Sequence, residues 1–429
     1  MKHCRYFMRM LLLIVLLYCT SVCLAQDTPR NNKLTQNDSI KKGSNQFDTA
    51  QNDSTRNNST QTDSCNLRIS ILTCGPGEEL YSIFGHSAIR ITDASTGMDI
   101  VYNYGTMEFD DFSFYVKFTK GQMLYSLSYA DMDSFLYEYQ VTKRSVIEQQ
   151  LRLTCEDKMR LFEALKLNAR EENKYYDYSF LYDNCSTRIR DIISKTPKSL
   201  IRFNNILPAK VPTFRNMIHE SLHKGQQHWS KLGIDLLLGS LIDKKVTNEQ
   251  SMFLPDYLMK GFDSASILIR PDPKALSPLV TSKPYLYQPP VVELSMPWIN
   301  PYLVLTALSI FLLILSFLHS TSEKTVKLLD KSLFLVTGLL GILMLSLWLF
   351  REDTVCRNNM NIIWAIPTHA VAAFFIGKQK KWIKPYFRVS GILGALLLLG
   401  WPWWPQELNN SLIPVILLLV IRSFILSKK

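Results

Sequence analysis

The sequence predicts an exported α+β domain followed by an all-α bundle of about five transmembrane helices. Three observations predict this fold class: an N-terminal apolar segment typical of export signals, a middle region where strand-like and helix-like periodicities alternate, and a last third of long apolar segments. The average composition hides this division, because 47% hydrophobic residues over 429 positions is an ordinary value for a soluble protein.

The formal net charge of +11 is distributed unevenly along the chain. Residues 1–25 carry +3, residues 26–292 carry +1, and residues 293–429 carry +7. The positive charge therefore lies beside apolar segments, whereas a nucleic-acid-binding domain would place it on a polar folded region. We expect no nucleic-acid partner.

Residues 1–25 have the order of a secretory signal peptide: basic residues, an apolar run, and a cleavage site offered by Cys23-Leu24-Ala25. An uncleaved membrane anchor is the alternative, and both interpretations export the residues that follow. Residues 26–65 contain 28 Asn, Gln, Ser, Thr or Asp among 40 positions, too little apolar surface to form a core. We expect a disordered polar tether there.

Residues 66–292 contain the periodicities of an α+β domain, and this length is sufficient for a separate core. The predicted strands are residues 67–72, 87–91 and 100–104, and the predicted helices are residues 154–168, 185–195, 213–224 and 233–242. Thr154 with Asp157 resembles a capping box at the start of the first helix. Eight prolines between Pro271 and Pro301 predict an extended connection to the membrane.

Residues 293–429 hold five apolar segments close to the length that crosses a bilayer, at about 302–319, 333–350, 362–377, 389–404 and 412–426. Lysines cluster after the first and third segments and at the C terminus, so the positive-inside rule predicts that these loops are cytoplasmic and that residues 26–292 lie outside. Trp401, Trp403 and Trp404 then fall at the external interface. His369, within the third segment, is either a functional residue or a hydrogen-bonded packing residue.

Cys185 is the candidate nucleophile. It follows Asp183 and Asn184, either of which can cap a helix, so its thiol lies in a first turn where unpaired amides and the helix dipole stabilise a thiolate. Arg188 and Arg190 add positive charge nearby. A buried structural cysteine or half of a disulfide remains an equal alternative for this position.

The cysteine count gives a further reason to look for a reactive thiol. Signal cleavage would leave five cysteines, an odd number in an oxidising compartment, so at least one stays unpaired within the chain. Cys65 and Cys74 could form one bridge, although the sequence does not establish that pairing. Cys155 is a weaker nucleophile candidate, because Glu156 and Asp157 follow it and disfavour a thiolate.

His86 is the candidate general base. It follows Gly85 at the mouth of a predicted strand, and with a helix-start cysteine downstream it fits a thiolate–imidazolium pair. We expect the other histidines of the exported region to be solvated along a polar helical stretch; these are His219, His223 and His228. No glycine-rich phosphate loop or Cys-x-x-Cys pair occurs in the sequence, and we expect no metal and no cofactor.

Asn103 is the candidate third residue. If the second and third predicted strands form a hairpin, Asn103 lies on the same face as His86, where its amide could orient the imidazole. A shift of one residue in register would place Tyr104 there instead.

Two long runs, LTCGPGEELYSIFGHSAIR at 72–90 and DNCSTRIRD at 183–191, resemble the periplasmic domain of the Lnb-type lipoprotein N-acyltransferase family. Shorter runs at 233–239 and 361–369 are also similar, and the similarity extends from about residue 66 through the membrane segments. His86 and Cys185 occupy the positions of the family histidine and cysteine. The third residue does not transfer from the family.

The resemblance implies a circularly permuted papain-like (NlpC-type) domain, as in the lecithin–retinol acyltransferases. It also implies a reaction in which an acyl chain moves from a membrane phospholipid donor to the α-amino group of a lipoprotein acceptor, through a thioester on Cys185. The corresponding location is the bacterial inner membrane, with the catalytic domain in the periplasm. An envelope cysteine peptidase or amidase using the same pair, and a non-catalytic membrane receptor, remain as alternatives.

Overall fold

The computed structural model describes residues 65–79, 81–106, 120–268, 276–290, 299–318 and 320–428. The predicted signal peptide and tether lie outside these residues, except for Cys65. The described chain contains a region of antiparallel sheets with helices, followed by a helical C-terminal region. This confirms the predicted order of an α+β domain before a helical one.

The larger sheet is antiparallel, and its described strands are β1 (Leu67–Cys74), β2 (His86–Asp93), β3 (Met98–Thr106), β4 (Leu124–Asp131), β5 (Val146–Leu151), β6 (Tyr175–Asp177), β10 (Val280–Ser282) and β11 (Tyr285–Tyr287). Across the sheet they lie in the order β10-β5-β1-β2-β3-β4-β6, and β11 also pairs with β5. A small second sheet has the order β7-β8-β9, formed by β7 (Leu200–Arg202), β8 (Ser266–Leu268) and β9 (Leu276–Pro278). The three predicted strands correspond to β1, β2 and β3.

The helices of this region are α1 (Met132–Val141), α2 (Cys155–Asn168), α3 (Cys185–Lys195), α4 (Phe214–Lys224), α5 (His228–Leu237), α6 (Asn248–Ser251) and α7 (Pro255–Ser264). The predictions for α2, α3 and α4 are confirmed to within a residue, and Thr154 caps α2 by accepting from the Asp157 amide at 3.1 Å. The predicted helix 233–242 is wrong in its bounds: α5 ends at Leu237, and a 3₁₀ turn follows at Ser240–Asp243.

Gly239 explains that early end. A Cβ atom at this position would lie 1.8 Å from the Arg357 carbonyl oxygen, so only glycine permits this approach of the two backbones. The Gly239 amide then donates to the Val355 oxygen at 2.8 Å rather than to the preceding helical turn. The contact with the C-terminal region therefore overrides helical periodicity.

Helices cover both faces of the larger sheet. On one face, isoleucines of β1 and β2 pack with apolar residues of α2, α3 and α7, including Leu161, Ile189 and Phe262. On the other face, α1 packs Phe135 and Tyr139 against the sheet. The alternation of strand side chains between these faces accounts for the two cores.

The expectation that Cys65 and Cys74 could form a disulfide was wrong. Cys65 pairs with Cys155, which links the start of β1 to the first residue of α2, and Cys74 is a free, buried thiol. Cys74 lies at the far end of β1 from Cys65, so the strand itself separates the two. The free cysteines of the described chain are Cys74, Cys185 and Cys356.

The proline-rich connection is also more structured than expected. Residues 276–287 supply β9 to the small sheet and then β10 and β11 to the edge strand β5. Each of these strands is three residues long, which suits a segment interrupted by prolines. The chain therefore adds two short strands to this edge of the sheet before the helical region begins.

The helical region contains α8 (Pro301–Phe317), α9 (Glu323–Phe350), α10 (His369–Ala372), α11 (Ile383–Leu399) and α12 (Ile413–Lys428). By length and composition, two stretches of the described chain could cross a membrane, Glu323–Phe350 and Asn410–Lys428, and Pro301–Phe317 is a shorter apolar helix.

The third predicted segment is not a continuous helix. It consists of a 3₁₀ turn at Met360–Ile363, the short α10 and a further 3₁₀ turn at Ala373–Phe375. Its backbone packs directly on α9, where a Cβ on Gly341 would lie 1.9 Å from the Ala365 oxygen. Pro367 has no amide hydrogen to donate, so it interrupts regular helical hydrogen bonding here. Close packing of the backbone against Gly341 of α9 stabilises the segment instead. His369 is buried here and bonds the Tyr386 hydroxyl at 2.7 Å, which favours the packing interpretation of this residue.

Candidate functional site

Cys185 is the first residue of α3, and the local sequence fixes this helix start. The Asn184 side chain accepts from the Thr187 amide at 2.9 Å, while the Thr187 hydroxyl accepts from the Asn184 amide at 2.8 Å. The Asn184 Nδ2 group also donates to the Phe180 and Phe253 oxygens at 2.7 and 2.9 Å. This reciprocal cap anchors the helix terminus and leaves the Cys185 thiol half-buried in the first turn.

His86 is the first residue of β2, and Gly85 controls its position. Gly85 has φ of +79°, and a Cβ there would lie 2.7 Å from the Cys74 oxygen. The chain therefore turns tightly into the strand with no side chain between it and β1. This turn places His86 at the end of the strand that lies next to the start of α3.

The register of β2 against β3 brings Asn103 to His86. Ile89 lies opposite Tyr102, which puts Asn103 on the same face as His86. The His86 Nε2 and Asn103 Oδ1 atoms are 3.0 Å apart. The predicted contact is confirmed, and the alternative register with Tyr104 does not occur. With Nε2 directed to Asn103, Nδ1 is the ring nitrogen left for the thiol.

The electrostatics of Cys185 and His86 are coupled. Burial opposes ionisation of the thiol, but the His86 charge and hydrogen bond, the Ser87 backbone amide and the Ser186 hydroxyl together lower the pKa of Cys185. Burial likewise opposes protonation of the imidazole, and the interaction with Cys185 outweighs it, so the pKa of His86 is raised. These two directions together favour a thiolate–imidazolium pair.

Ser87 and Ser186 are site residues that sequence reasoning missed. Their hydroxyl oxygens are 3.2 Å apart in a buried contact, and each follows one member of the Cys–His pair directly in the chain. The contact ties the start of β2 to the start of α3. No spacing signal could have revealed it, because the two residues are 99 positions apart.

The arginines of α3 do not act as predicted. Arg188 binds Asp183 at 2.6 and 2.8 Å, and its guanidinium lies 3.6 Å from the centre of the Tyr176 ring. Arg190 pairs with Asp191 and with the Glu249 carbonyl oxygen. Because carboxylates compensate both charges, the expectation that these arginines stabilise the thiolate is not supported. His86, the Ser87 backbone amide and the Ser186 hydroxyl have that role instead.

Cys74 is a useful contrast because it lies opposite His86 in the β1–β2 pair. Burial raises the pKa of the Cys74 thiol to about 12, and Tyr139 and Arg144 only partly offset that effect. A thiol in this state is not ionised at neutral pH and does not act as a nucleophile. Of the two cysteines beside His86, only Cys185 combines partial exposure with a lowered pKa.

The expectation that His219 is solvated was wrong. His219 is buried, and its Nε2 atom lies 2.7 Å from Asp235, which also binds Arg215 at 2.9 Å and the Asn409 amide at 2.8 Å. The second ring nitrogen lies 3.5 Å from Glu407. Since Asn409 and Glu407 belong to the C-terminal region, this network joins the helical region to α4 and α5.

His219 also begins a His-Glu-x-x-His pattern at residues 219–223, which is the signature of a zinc metalloprotease helix and which sequence reasoning missed. The geometry does not support a metal centre there. Both ring nitrogens of His219 face carboxylates, and Glu220 is held by Lys224 at 2.8 Å and by the Tyr257 hydroxyl at 2.9 Å. The pattern arises from the packing of α4, and these side chains hold helices together.

The arrangement of Cys185, His86 and Asn103 is that of a thiol nucleophile with an oriented base. Residues 54–219 match the family model of the Lnb N-terminal periplasmic domain, and residues 293–429 match that of the Lnb transmembrane domain. The two matches cover more than two thirds of the chain in the expected order, and the chain belongs to the Lnb family. It is therefore a membrane protein with a periplasmic N-terminal domain. No curated protein and no solved structure matches it significantly.

Proposed function

We propose that this protein is a lipoprotein N-acyltransferase of the bacterial inner membrane. It transfers an acyl chain from a membrane phospholipid to the N-terminal amine of diacylglyceryl-cysteine lipoproteins, and Cys185 carries the chain as a thioester. The observation that carries the proposal is the coupled Cys185–His86 pair, in a domain of the Lnb family. The order of histidine, strand amide and helix-start cysteine also supports the permuted papain-like fold.

The first half-reaction acylates the enzyme. The Cys185 thiolate attacks the ester carbonyl carbon of the phospholipid, so that a carbon–sulfur bond forms and the ester carbon–oxygen bond breaks. His86 gives its proton to the departing alkoxide, which leaves as a lysophospholipid. Asn103 holds the imidazole through Nε2 and keeps the other nitrogen directed at the reacting atoms.

The second half-reaction returns the pair to its starting state. The acceptor amine attacks the thioester carbonyl, a carbon–nitrogen bond forms, and the carbon–sulfur bond breaks to release the thiolate. Neutral His86 takes the proton that the amine loses, which restores the imidazolium. The reaction needs no redox step, and the two protonation states of His86 account for every proton.

The attachment of the site to the helical region supports a substrate in the membrane. The Glu352 amide donates to the Lys120 oxygen at 2.9 Å, and Asn359 donates to the Leu236 oxygen at 2.6 Å. These bonds keep the sheet region against one end of the helices. We infer a multi-pass anchor that holds the site close to the external leaflet, where both the donor and the acceptor are embedded.

The test is mass spectrometry of lipoprotein N termini from a strain that lacks this protein. We expect N-acylation to be lost and to be restored by the wild-type chain. Cys185→Ser and His86→Ala should each fail to restore it while the protein accumulates normally. Cys74→Ala is the matched control, because it removes the other thiol beside His86, and it should restore N-acylation.

Unchanged N-acylation in the deletion strain, with no second acyltransferase present, would contradict the proposal. Full activity of the Cys185→Ser variant would exclude a thioester intermediate on this residue. If the purified protein instead hydrolysed envelope peptides and left lipoproteins unmodified, the peptidase alternative would replace the acyltransferase proposal. Water, rather than an amine, would then cleave the thioester on Cys185.

A further inference from the structure

A cavity of about 680 Å³ lies at the end of the helical region opposite the sheets. The start of α9, the turn after Ala373–Phe375, the start of α11 and the end of α12 form its walls. α9 runs from this cavity to Phe350, next to the contact with the sheet region, so roughly 40 Å of helix separates the two ends. The cavity is therefore distinct from the Cys185 site.

The lining of this cavity is strongly basic. Its two carboxylates already have cationic partners: Glu323 binds Lys327 at 2.9 Å, and Asp330 binds Arg422 at 2.7 and 2.8 Å. The four remaining lysines are exposed and have no carboxylate partner among the residues that the structure describes; they are Lys378, Lys380, Lys381 and Lys384. The cavity thus holds an excess of positive charge that an anion would neutralise.

The same cavity has an apolar floor and a defined shape. Ile376, Ile383 and Leu426 line its inner side and are buried. Gly377 adopts φ of +85°, and the Lys327 side chain packs 3.3 Å from where a Cβ would stand, so the turn that carries the lysines is fixed. Trp382 stacks edge-on against Phe375 beside this turn, and such rings favour the membrane interface.

We propose that this cavity binds the phosphate-bearing headgroup of an anionic phospholipid, such as phosphatidylglycerol, in the leaflet opposite the Cys185 site. A phosphate and lysine ammonium groups supply the polar attraction, and the apolar floor accommodates the start of the acyl chains. The apolar floor favours a lipid over free phosphate, which would gain nothing from those side chains. This proposal is independent of the proposed reaction.

The test uses the full chain in nanodiscs of phosphatidylcholine with added phosphatidylglycerol. The triple variant Lys380→Gln, Lys381→Gln and Lys384→Gln removes lysines of the cavity. The matched control replaces Lys324, Lys331 and Lys428 by Gln, which removes the same charge from the same end of the helices but outside the cavity. Bound phosphatidylglycerol is counted by native mass spectrometry, and Tm is measured with and without the anionic lipid.

We expect the wild-type chain and the control variant to retain phosphatidylglycerol and to be stabilised by it. The cavity variant should bind it roughly 100-fold more weakly. Equal losses in the two variants would overturn the proposal, because the lysines would then act only through overall charge. Competition by inorganic phosphate as effective as by the lipid would overturn the choice of a lipid ligand.

A separate observation concerns Tyr176, in β6 beside the candidate site. Its ring is fixed beneath Arg188, and its buried hydroxyl has no hydrogen-bond partner among the described residues. A buried donor without a partner costs free energy, so a native protein seldom keeps one without a reason. Burial and the nearby Cys185 both raise the pKa of Tyr176, so the hydroxyl stays protonated and able to donate.

Gly105 lies between that hydroxyl and the nucleophile and places no side chain there. It has φ of +97° at the bulge of β3, where a Cβ would lie 3.8 Å from Cys185 Cβ and 4.0 Å from the Tyr176 hydroxyl. The hydroxyl and Cys185 Cβ are therefore less than about 8 Å apart across a position without a side chain. A side chain at this position would stand between the nucleophile and the donor, so the glycine keeps the path between them clear.

We propose that the Tyr176 hydroxyl donates a hydrogen bond to the carbonyl oxygen of the acyl group as the Cys185 thiolate attacks it. The electron pair of the carbonyl moves to oxygen when the carbon–sulfur bond forms, and the donor stabilises that charge until the ester bond breaks. This role rests on the proposed function. It also explains why the hydroxyl lacks a partner in the free enzyme.

The test compares Tyr176→Phe with Tyr104→Phe, whose hydroxyl already accepts a hydrogen bond from Asn168 at 2.9 Å. For Tyr176→Phe we expect acyl transfer to fall about 100-fold, with Tm unchanged or higher. Alkylation of Cys185 by iodoacetamide should stay at the wild-type rate, because that reaction forms no oxyanion. For Tyr104→Phe we expect a lower Tm and wild-type acyl transfer.

Wild-type acyl transfer in the Tyr176→Phe variant would overturn the role of Tyr176 and leave the proposed function intact. A slower alkylation in parallel with slower transfer would also overturn it, since the residue would then act on the thiol itself. Absence of acyl transfer in the wild-type chain would instead contradict the proposed function.

Discussion

Two histidines of this protein, the half-buried His86 and the buried His219, have raised pKa values for different reasons. His86 faces a half-buried thiol and a neutral amide, and its charge is coupled to ionisation of Cys185. His219 faces Asp235 at 2.7 Å and Glu407 at 3.5 Å, within a network that also includes Arg215. The first histidine has a nucleophile as its partner, whereas the second has only carboxylates.

The difference shows that a raised pKa does not by itself identify a reactive site. Asp235 is occupied from every side by Arg215, Lys231, His219 and Asn409, so no atom remains to react. The charged partner of Cys185 is His86 alone among its main electrostatic neighbours, and Gly105 beside it carries no side chain. The chemical identity of the partner and the space beside it decide which histidine belongs to a site.

The largest expected effect comes from His86→Ala. Without the imidazolium, desolvation dominates and the pKa of Cys185 rises, so the thiolate fraction near neutral pH falls. We expect alkylation of Cys185 by iodoacetamide at pH 6–7 to slow by roughly 10- to 100-fold, and the midpoint of its pH profile to move upward. Stopped-flow or mass-spectrometric alkylation rates from pH 4 to 10 measure both quantities.

His219→Gln is the control for that experiment, because it alters the other histidine. It should leave the alkylation profile of Cys185 unchanged. A shifted profile in His219→Gln, or an unshifted one in His86→Ala, would contradict the assignment of the two histidines to different tasks.

The second expected effect falls on stability. Asp235→Asn leaves the buried Arg215 and His219 and the half-buried Lys231 without their common carboxylate. We expect the free energy of unfolding to drop by about 3–5 kcal/mol, measured by thermal or denaturant unfolding in detergent, because uncompensated buried charge is expensive. The alkylation rate of Cys185 in the protein that stays folded should not change.

Glu171→Gln supplies the matched control, because Glu171 is an exposed carboxylate in an ion pair with Lys174 at 2.8 Å. That change should cost far less than the Asp235 substitution, because water screens an exposed ion pair. Equal destabilisation by the two substitutions would mean that the network of Asp235 contributes no more than a surface pair.

The sequence predicted the site better than it predicted the surroundings. The bounds of α3 were predicted correctly, the cap at Asn184 was one of two residues offered, and the contact of His86 with Asn103 was one of two registers considered. All three are local or follow from a short hairpin. The family resemblance supplied the order of the two regions, which the comparisons confirm. Short-range geometry is encoded in short stretches of sequence, so these features were accessible.

Most of the errors involve contacts between distant parts of the chain, although the pairing of Arg188 with Asp183 and the pattern that begins at His219 are local and were missed as well. The partner of Cys65 is 90 residues away, and the Asn409–Asp235 bond spans 174 residues. The early end of α5 depends on the approach of Arg357 to Gly239. Periodicity and spacing contain no information on such pairs, and the solvated character predicted for His219 was wrong for the same reason.

A smaller effect is expected from Asn103→Ala, which removes the hydrogen bond to His86 Nε2. The imidazole loses its orientation but keeps its charge near the thiol, so acyl transfer should fall by about 10-fold. The alkylation profile of Cys185 should move less than in His86→Ala. Asn168→Ala is the control: it removes a side-chain amide that donates to the Tyr104 hydroxyl, and it should leave transfer unchanged. Wild-type transfer by Asn103→Ala would remove Asn103 from the site.

The smallest predicted effect is a pH dependence of stability that arises at His219. Burial opposes its protonation, but Asp235 and Glu407 outweigh burial and the repulsion from Lys231, so the pKa of His219 is raised above its ordinary 6.5. A raised folded-state pKa stabilises the protein fully below pH 6.5, and the contribution is lost as pH rises through the folded-state value.

We therefore expect Tm in detergent to decline from about pH 6.5 upward, by about 2–4 °C for each kcal/mol lost. His219→Gln should have a lower Tm at pH 6 and a flatter profile above it, because glutamine keeps a hydrogen bond to Asp235 and does not titrate. His223 faces the same cluster, but burial first and repulsion from Lys231 second lower its pKa, so it is neutral where the slope is measured and His223→Gln should keep the wild-type slope. The same slope in wild-type and His219→Gln proteins would mean that His219 holds the two regions together without its charge. The contrast with His86 would then rest on packing rather than on protonation.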